Sequence, residues 1–466
     1  MTKLFVLVFA LPAVLAAQQP ATPVTPRDTT VPAAPRADTT LPAYDTTLLG
    51  PVDTTARPIR LDEAVRLAQK ASPVAVAARG TLETSQAQVR AGYAAFIPSL
   101  SVSASASRQG GDRFDPQGTL VPFTGNAWRQ SHGLALNLEL FDGGSRIYNL
   151  HTFKANVTAA NANEVLQQFA VALSVKQQFY AVLAAREAES AAESQLEEAN
   201  ENLKQALAKV HAREATRSDS LRAVIQVANA QLAIVTANYD LNTANAALTR
   251  LVGTSFTVTA SPDDSTQEFA FASVDSAALR ALAELGPAVK QAQASDVAST
   301  AGAKAARAPY LPTLSASWNI SGNGSTNSLA FVADQYAYQN QFRIALSYPI
   351  FDQLQREQNI AVADVAQRNA DAQLRDAKLA AQANFVQYFG ALRTNQKQVE
   401  IDETSVAAAE EDLRVQRQRY DYGASTQLDV LTSEAALIQA RAALIQARFN
   451  YRVAKAQLEA LVGRDL

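Results

Sequence analysis

Cysteine is absent from this 466-residue chain. Its absence excludes disulfide scaffolds, Cys-based zinc sites, thiol catalysis and a lipidated N-terminal cysteine in one step. Histidine is nearly absent too: His132, His151 and His211 are the three present, and they share no metal-ligand or helical spacing. Charged residues make up 18% of the chain and the net charge is -3, against the roughly 25% charged residues of an average soluble domain. Neither the balance nor its local pattern forms the basic stripe that a nucleic-acid partner requires. Past the N-terminus no run reaches the roughly 18 uninterrupted apolar residues of a membrane-spanning helix. There is no Ser/His/Asp order, no paired carboxylates in an apolar stretch and no phosphate loop, since Gly143-Gly144 lacks the lysine and its spacing. Glu187, Glu189, Glu193, Glu197, Glu198 and Glu201 read as solvated helix faces. These absences predict a protein without catalytic residues, cofactor or metal.

What is present begins with an export pattern. Lys3, the apolar stretch Leu4 to Leu11 and the small-residue exit Val14-Leu15-Ala16-Ala17 read as a signal peptide over 1–17. From 18 to 58 the chain is rich in Pro, Thr and Ala, with Asp-Thr-Thr triplets beginning at Asp28, Asp38, Asp45 and Asp53. So few apolar groups cannot offset the entropy of ordering, and the segment reads as a disordered leader.

The rest is one pattern written twice. Phe96-Ile97-Pro98-Ser99-Leu100-Ser101 matches Tyr310-Leu311-Pro312-Thr313-Leu314-Ser315, Leu140-Phe141-Asp142 matches Ile350-Phe351-Asp352, and Leu251-Val252-Gly253 matches Leu461-Val462-Gly463. From Leu136 to Gly253 the copies align without a gap at an offset of 210; earlier the offset is 214, which marks a surface loop of variable length. The first repeat is set at 59–253, a junction at 254–275 and the second repeat at 276–466.

Each copy contains two stretches of period two. Strands are predicted at about 98–108, 131–141, 312–321 and 340–351. Leu100 and Val102, then Leu134, Leu136, Leu138 and Leu140, then Leu314, Trp318 and Ile320, then Phe342, Ile344 and Leu346 alternate with Ser, Asn, Gln, Glu and Arg, and Phe141 falls among the polar set. Ten residues is a membrane-strand length. Phe96, Phe141, Tyr310 and Phe351 bracket one end, with Phe123, Trp128, Tyr336 and Tyr338 at the other, as interface girdles do. Soluble hairpins resting on a core would alternate in the same way, so both readings stand at this point.

Elsewhere the chain reads as long Ala- and Gln-rich helices, at about 62–95, 145–209, 218–252, 276–308, 353–419 and 427–462. Four strands cannot close a barrel, and an open edge in lipid leaves backbone groups unpaired at several kcal/mol each. Membrane strands therefore require several chains to share one barrel.

The duplicated order of helix, hairpin, long helix, turn and helix, the Phe141-Asp142-Gly143-Gly144 lead-in and the turn Tyr420-Asp421-Tyr422-Gly423-Ala424-Ser425-Thr426-Gln427-Leu428-Asp429-Val430 resemble the TolC-like outer-membrane efflux proteins, over nearly all of 60–466. The resemblance implies a homotrimer: four strands per chain in a shared 12-stranded outer-membrane barrel, continuing into a periplasmic α-helical barrel. It also implies a periplasmic adaptor and an inner-membrane pump, proton-driven or ATP-driven, as partners beside the membrane lipid. By the same resemblance Asp219 and Asp429 gate the periplasmic entrance, and Tyr420, Gly423, Ala424, Ser425 and Arg213 form the tip that meets the adaptor. Phe141, Asp142, Gly143, Phe351 and Asp352 mark the junction of strand and helix. Two departures stand out. Arg213 replaces the glycine of the second tip, so that helix is open to running further before it turns, and Gln353-Leu354 stand where the first copy has Gly143-Gly144. A function from another class, a secreted or periplasmic coiled-coil scaffold that conducts nothing, stays open on the residues alone.

Overall fold

The computed structural model describes residues 56–108, 110–122, 127–261, 276–326, 329 and 336–466. The expected signal peptide, nearly all of the leader, Phe123 and most of the expected junction lie outside the described residues. The order is β1 (Arg57–Ile59), α1 (Leu61–Ala71), α2 (Pro73–Ala94), β2 (Ser99–Arg108), β3 (Asp112–Phe114), β4 (Leu120–Pro122), β5 (Trp128–Asp142), α3 (Ser145–His211), α4 (Arg217–Val252) and β6 (Val258–Ala260). Then come α5 (Ser276–Ala283), α6 (Pro287–Ala305), a 3-10 turn (Ala308–Tyr310), β7 (Thr313–Thr326), β8 (Tyr336–Ser347), α7 (Gln355–Asp421) and α8 (Gln427–Val462).

Two of the expected helices are divided. The span 62–95 breaks at Ser72, where Pro73 starts α2 and forces extended backbone before it (ψ 130°). The span 276–308 breaks at Gly286-Pro287 for the same reason. Arg57 and Pro58, expected at the end of the leader, belong instead to a strand: Arg57–Ile59 pair in parallel with Val258–Ala260 and bury Ile59.

Helices α3 and α7 have 67 residues each, about 100 Å at 1.5 Å per residue. Shorter helices lie along them: α2 and α4 on α3, α6 and α8 on α7, with α3 also against α6 and α8. The thickest packing is at mid-height. Val175, Phe179, Val182 and Leu183 of α3 meet Ala64, Ala68, Leu248 and Val258, and Phe385, Leu392 and Val399 of α7 meet Leu279, Tyr451 and Leu458. Towards the far end the core thins to small patches such as Ala199, Val227 and Ala230. One 18-residue window of α4 has a mean hydropathy of 1.2, a membrane-like value that reading uninterrupted runs missed. The helix nonetheless packs lengthwise on α3, with Ala223, Val227 and Ala230 turned inward and Leu221, Ile225 and Leu232 left exposed.

The strands form one antiparallel sheet in the order β2-β5-β7-β8. Leu100, Leu136, Trp318 and Phe342 lie in one row across it, Val102, Leu134 and Ile320 in the next row, and Leu138, Ala316 and Ile344 in the row on the other side. The opposite face carries Ser99, Asn137, Ser317 and Arg343, then Ser101, Ala135, Asn319 and Gln341. One expectation fails locally. A bulge at Leu140 moves the register so that Phe141 pairs with Leu314, in a row with Leu346, which puts Phe141 among the apolar set rather than the polar one. Strands β5 and β7, of 15 and 14 residues, are longer than expected, and β8 ends at Ser347 because Pro349 has no N–H to donate. Tyr348, Ile350 and Phe351 therefore lie past the strand.

Candidate functional site

Two zones concentrate the residues singled out in the sequence. The first is the junction where strand becomes helix. Asp142 accepts from the Gly144 N–H at 3.1 Å and the Arg146 N–H at 2.8 Å, and its Oδ2 lies 3.0 Å from Arg146 Nε. Asp352 repeats this, accepting from the Arg356 N–H at 3.1 Å with Arg356 Nε at 3.0 Å. The aligned aromatics close each unit: the Arg146 guanidinium lies 5.1 Å from the Phe96 ring centroid and that of Arg356 4.8 Å from Tyr310. Each carboxylate caps the first turn of a 67-residue helix and fixes the direction in which it leaves the sheet. Arg146 and Arg356 were missed from sequence, although an Asp followed four residues later by an Arg recurs at the 210-residue offset.

The same junction explains a departure from the repeat. Gly143 and Gly144 have φ of 68° and 81°, and Gln353 and Leu354 adopt φ of 59° and 64° at the matching positions. The bend is thus kept without glycine. In the first copy glycine is also required by space, because a Cβ on Gly143 would lie 2.6 Å from the Ala308 carbonyl oxygen.

The second zone is the tip. Arg213 takes φ 63°, against 70° for Gly423, and with Gln353 and Leu354 is the third non-glycine residue in the left-handed region among the described residues. Its turn is closed by the Glu214 N–H to the Lys209 carbonyl at 2.9 Å and the Arg213 N–H to the Val210 carbonyl at 3.1 Å. In the second copy the Ala424 N–H reaches the Arg419 carbonyl at 2.7 Å and the Gly423 N–H that of Tyr420 at 3.1 Å. Both are full Schellman motifs, so the first helix does not run further than the second. Ser425 Oγ donates to the Gln416 carbonyl at 3.2 Å and Arg419 to that of Ala424 at 3.3 Å, which tightens the second tip.

Asp219 and Asp429 stand at the third helical position of α4 and α8, each in a capping box. Asp219 Oδ2 accepts from the Thr216 N–H at 2.9 Å and its hydroxyl at 2.7 Å; Asp429 Oδ2 accepts from the Thr426 N–H and hydroxyl, both at 2.8 Å. The Thr426 N–H, then its hydroxyl, and the charge of Arg419 hold the Asp429 carboxyl below the usual aspartate range. Lys209, at the end of α3, reaches across to α7: its Nζ lies 3.2 Å from Asp421 Oδ1, 3.3 Å from the Tyr420 carbonyl and 3.7 Å from the Tyr420 ring centroid. Burial, and then the charges of Asp219 and Asp421, push the Tyr420 hydroxyl up. The tip thus gathers Lys209, Asp219, Tyr420 and Asp421 from three helices.

A third polar cluster was not foreseen. Glu434 of α8 is 1% exposed and accepts from Asn202 Nδ2 of α3 at 3.1 Å. Burial raises its carboxyl above the usual range against the opposing pull of Arg417. Arg417 pairs with Glu198 of α3 at 3.1 Å, and Arg441 reaches the same Glu198 at 3.9 Å. These bonds tie the α3/α4 pair to the α7/α8 pair. No periodicity marks Glu434, since the matching position in the first copy is Val224. Among the described residues no group of three or more His, Asp or Glu could hold a metal ion.

The family model for outer membrane efflux proteins matches residues 64–254 and 278–464. The chain therefore belongs to the outer membrane efflux protein family, whose members are channel proteins of the outer membrane. No curated protein matches the chain in sequence. Solved structures do match in fold. CusC, studied for folding and transmembrane channel formation, has a TM-score of 0.71 at 19% identity, covering 88% of this chain and 94% of its own. The outer membrane protein VceC of Vibrio cholerae gives 0.69 at 18%, covering 87% and 96%. The MtrE outer membrane channel of Neisseria gonorrhoeae, in its open state, gives 0.67 at 22%, covering 87% and 89%. A non-conducting periplasmic scaffold is not supported by these likenesses.

Proposed function

We propose that three copies of this chain assemble one exit duct: a 12-stranded barrel in the outer membrane opening into a tunnel of helices across the periplasm. The observation that carries this is the sheet itself. It has four strands, an apolar face and a polar face, and unpaired edges at β2 and β8. Backbone groups at those edges need partners in lipid, and further copies of the same sheet supply them. Two, three or four chains of four strands would give 8, 12 or 16, all even counts that suit a closed barrel, and the resemblance to the TolC-like proteins selects three. Leu134, Leu136, Leu138, Leu314, Trp318, Ile320, Phe342, Ile344 and Leu346 then face lipid, and the exposed apolar residues Leu221, Ile225 and Leu232 of α4 meet a neighbouring subunit.

The duct is no enzyme and moves cargo passively. An inner-membrane pump and a periplasmic adaptor deliver the cargo, with the tip around Tyr420, Gly423, Ala424, Ser425 and Arg213 as the docking end. Asp219 and Asp429, repeated by the symmetry, ring the entrance and favour cations there. The test is conductance in planar bilayers: Asp219→Ala with Asp429→Ala raises conductance and weakens cation preference. Unchanged conductance and selectivity reject the gate, and a wild-type protein that is soluble without detergent and conducts nothing rejects the duct.

A further inference from the structure

The polar face of the sheet is almost free of charge. Strand β2 gives it Ser99, Ser101, Ser103, Ser105 and Ser107, and β7 gives Ser, Thr and Asn throughout. Among the strand residues of this face the charged ones are Arg129 and Glu139 on β5, Arg343 on β8, and Asp142 at the end of β5. Asp142 is bound to Arg146. The other three side chains are exposed, and none has an ion-pair partner among the described residues.

The register sets their heights. Arg129 lies in a row with Ser107 and Ser325, and Arg343 in the row of Ser99, Asn137 and Ser317. Eight residues of β5, from Arg129 to Asn137, separate the two rows, roughly 27 Å along a strand at about 3.4 Å per residue. Glu139 is one row below Arg343 and two strands away, since β7 lies between them. Two strand spacings of about 4.8 Å and one step of about 7 Å put their backbones near 12 Å apart, beyond the screening length of about 8 Å at physiological salt. At that salt they act as separate charges on a wet wall rather than as a pair, and at lower salt the three groups sum to one positive charge per chain. Among the described strand residues each chain thus adds two unpaired positive charges and one negative to the polar face, and threefold repetition turns each arginine into a ring.

We propose that Arg129 and Arg343 set the charge preference of the exit barrel, making it a passage that favours anionic cargo, in contrast to the acidic entrance. This rests on the duct reading above. A narrow pore between low-dielectric walls concentrates counter-ions against a ring of one sign, so the arginines raise the anion share of the current.

The experiment is the reversal potential of purified wild-type protein in planar bilayers under a KCl gradient, compared with Arg129→Ser plus Arg343→Ser. The double variant raises the cation-to-anion permeability ratio by about twofold or more near 0.01 M salt, where the screening length is about 30 Å, and the difference fades near 1 M, where it is about 3 Å. Arg129→Lys plus Arg343→Lys keeps the wild-type ratio, which a merely structural role for the guanidinium groups would not produce. If the double serine variant fails to insert, Arg343→Gln against Arg343→Lys decides in the same way. Wild-type conductance together with an unchanged ratio in the charge-removing variants overturns this proposal alone. No conductance from the wild type overturns the duct reading, and this proposal with it.

Discussion

Arg213 occupies a backbone conformation that its counterpart, Gly423, adopts freely, and replacing it by glycine should therefore stabilise the first tip. The left-handed conformation costs an L-residue about 1–2 kcal/mol through crowding of its Cβ. Glycine in exchange gains about 0.4–1 kcal/mol of freedom in the opened turn. The difference leaves about 1 kcal/mol, or a factor of about five in the opening equilibrium. Arg213 is exposed, and at Gly423 a Cβ would meet no atom within 4 Å, so at the second tip backbone conformation alone opposes a side chain. Amide hydrogen exchange reads such local opening directly. Arg213→Gly should slow exchange of the Glu214 and Ala215 amides, which bond to the Lys209 carbonyl at 2.9 and 3.3 Å, by about fivefold. Gly423→Ala should speed exchange of the Ala424 amide by a similar factor. Faster or unchanged exchange in Arg213→Gly would refute the claim that this turn stores backbone strain.

Two further outcomes follow from the sheet and the helix cluster. Leu136→Arg places a charge on the apolar row with Leu100 and Trp318 and should cost about 2–4 kcal/mol of folding into lipid vesicles, whereas Asn137→Arg on the opposite face should fold like the wild type. Glu434 has a raised carboxyl pKa in the packed state, so its contribution is present at low pH and is lost as pH rises through that value. Glu434→Gln, which mimics the protonated form, should gain in melting temperature over the wild type between pH 5 and pH 8; a constant gap would show that burial of Glu434 is not what sets its titration.

The repeat made most of the architecture legible in sequence. Period-two stretches carry a face assignment that the register reproduces from Leu100 to Phe342, because one residue of slip would turn an entire apolar row the other way. Long helices are likewise readable from their lack of Gly and Pro. Three things were not. The breaks at Ser72 and Gly286 come from a single proline inside otherwise helical sequence. The bulge at Leu140 comes from ladder pairing that no local pattern records. The left-handed backbone at Arg213, Gln353 and Leu354 is held by the turns around it and not by residue preference. In the candidate site Asp219 and Asp429 were singled out from the sequence, but Lys209 on Tyr420 and Glu434 with Asn202 join residues more than 200 positions apart, a separation that leaves no trace in spacing.

No single chain closes its own barrel, and the native mass of the complex extracted from the outer membrane in detergent measures how many chains share one. The mass should correspond to three chains per particle, each bringing four strands with open edges at β2 and β8. A particle containing one chain would contradict it.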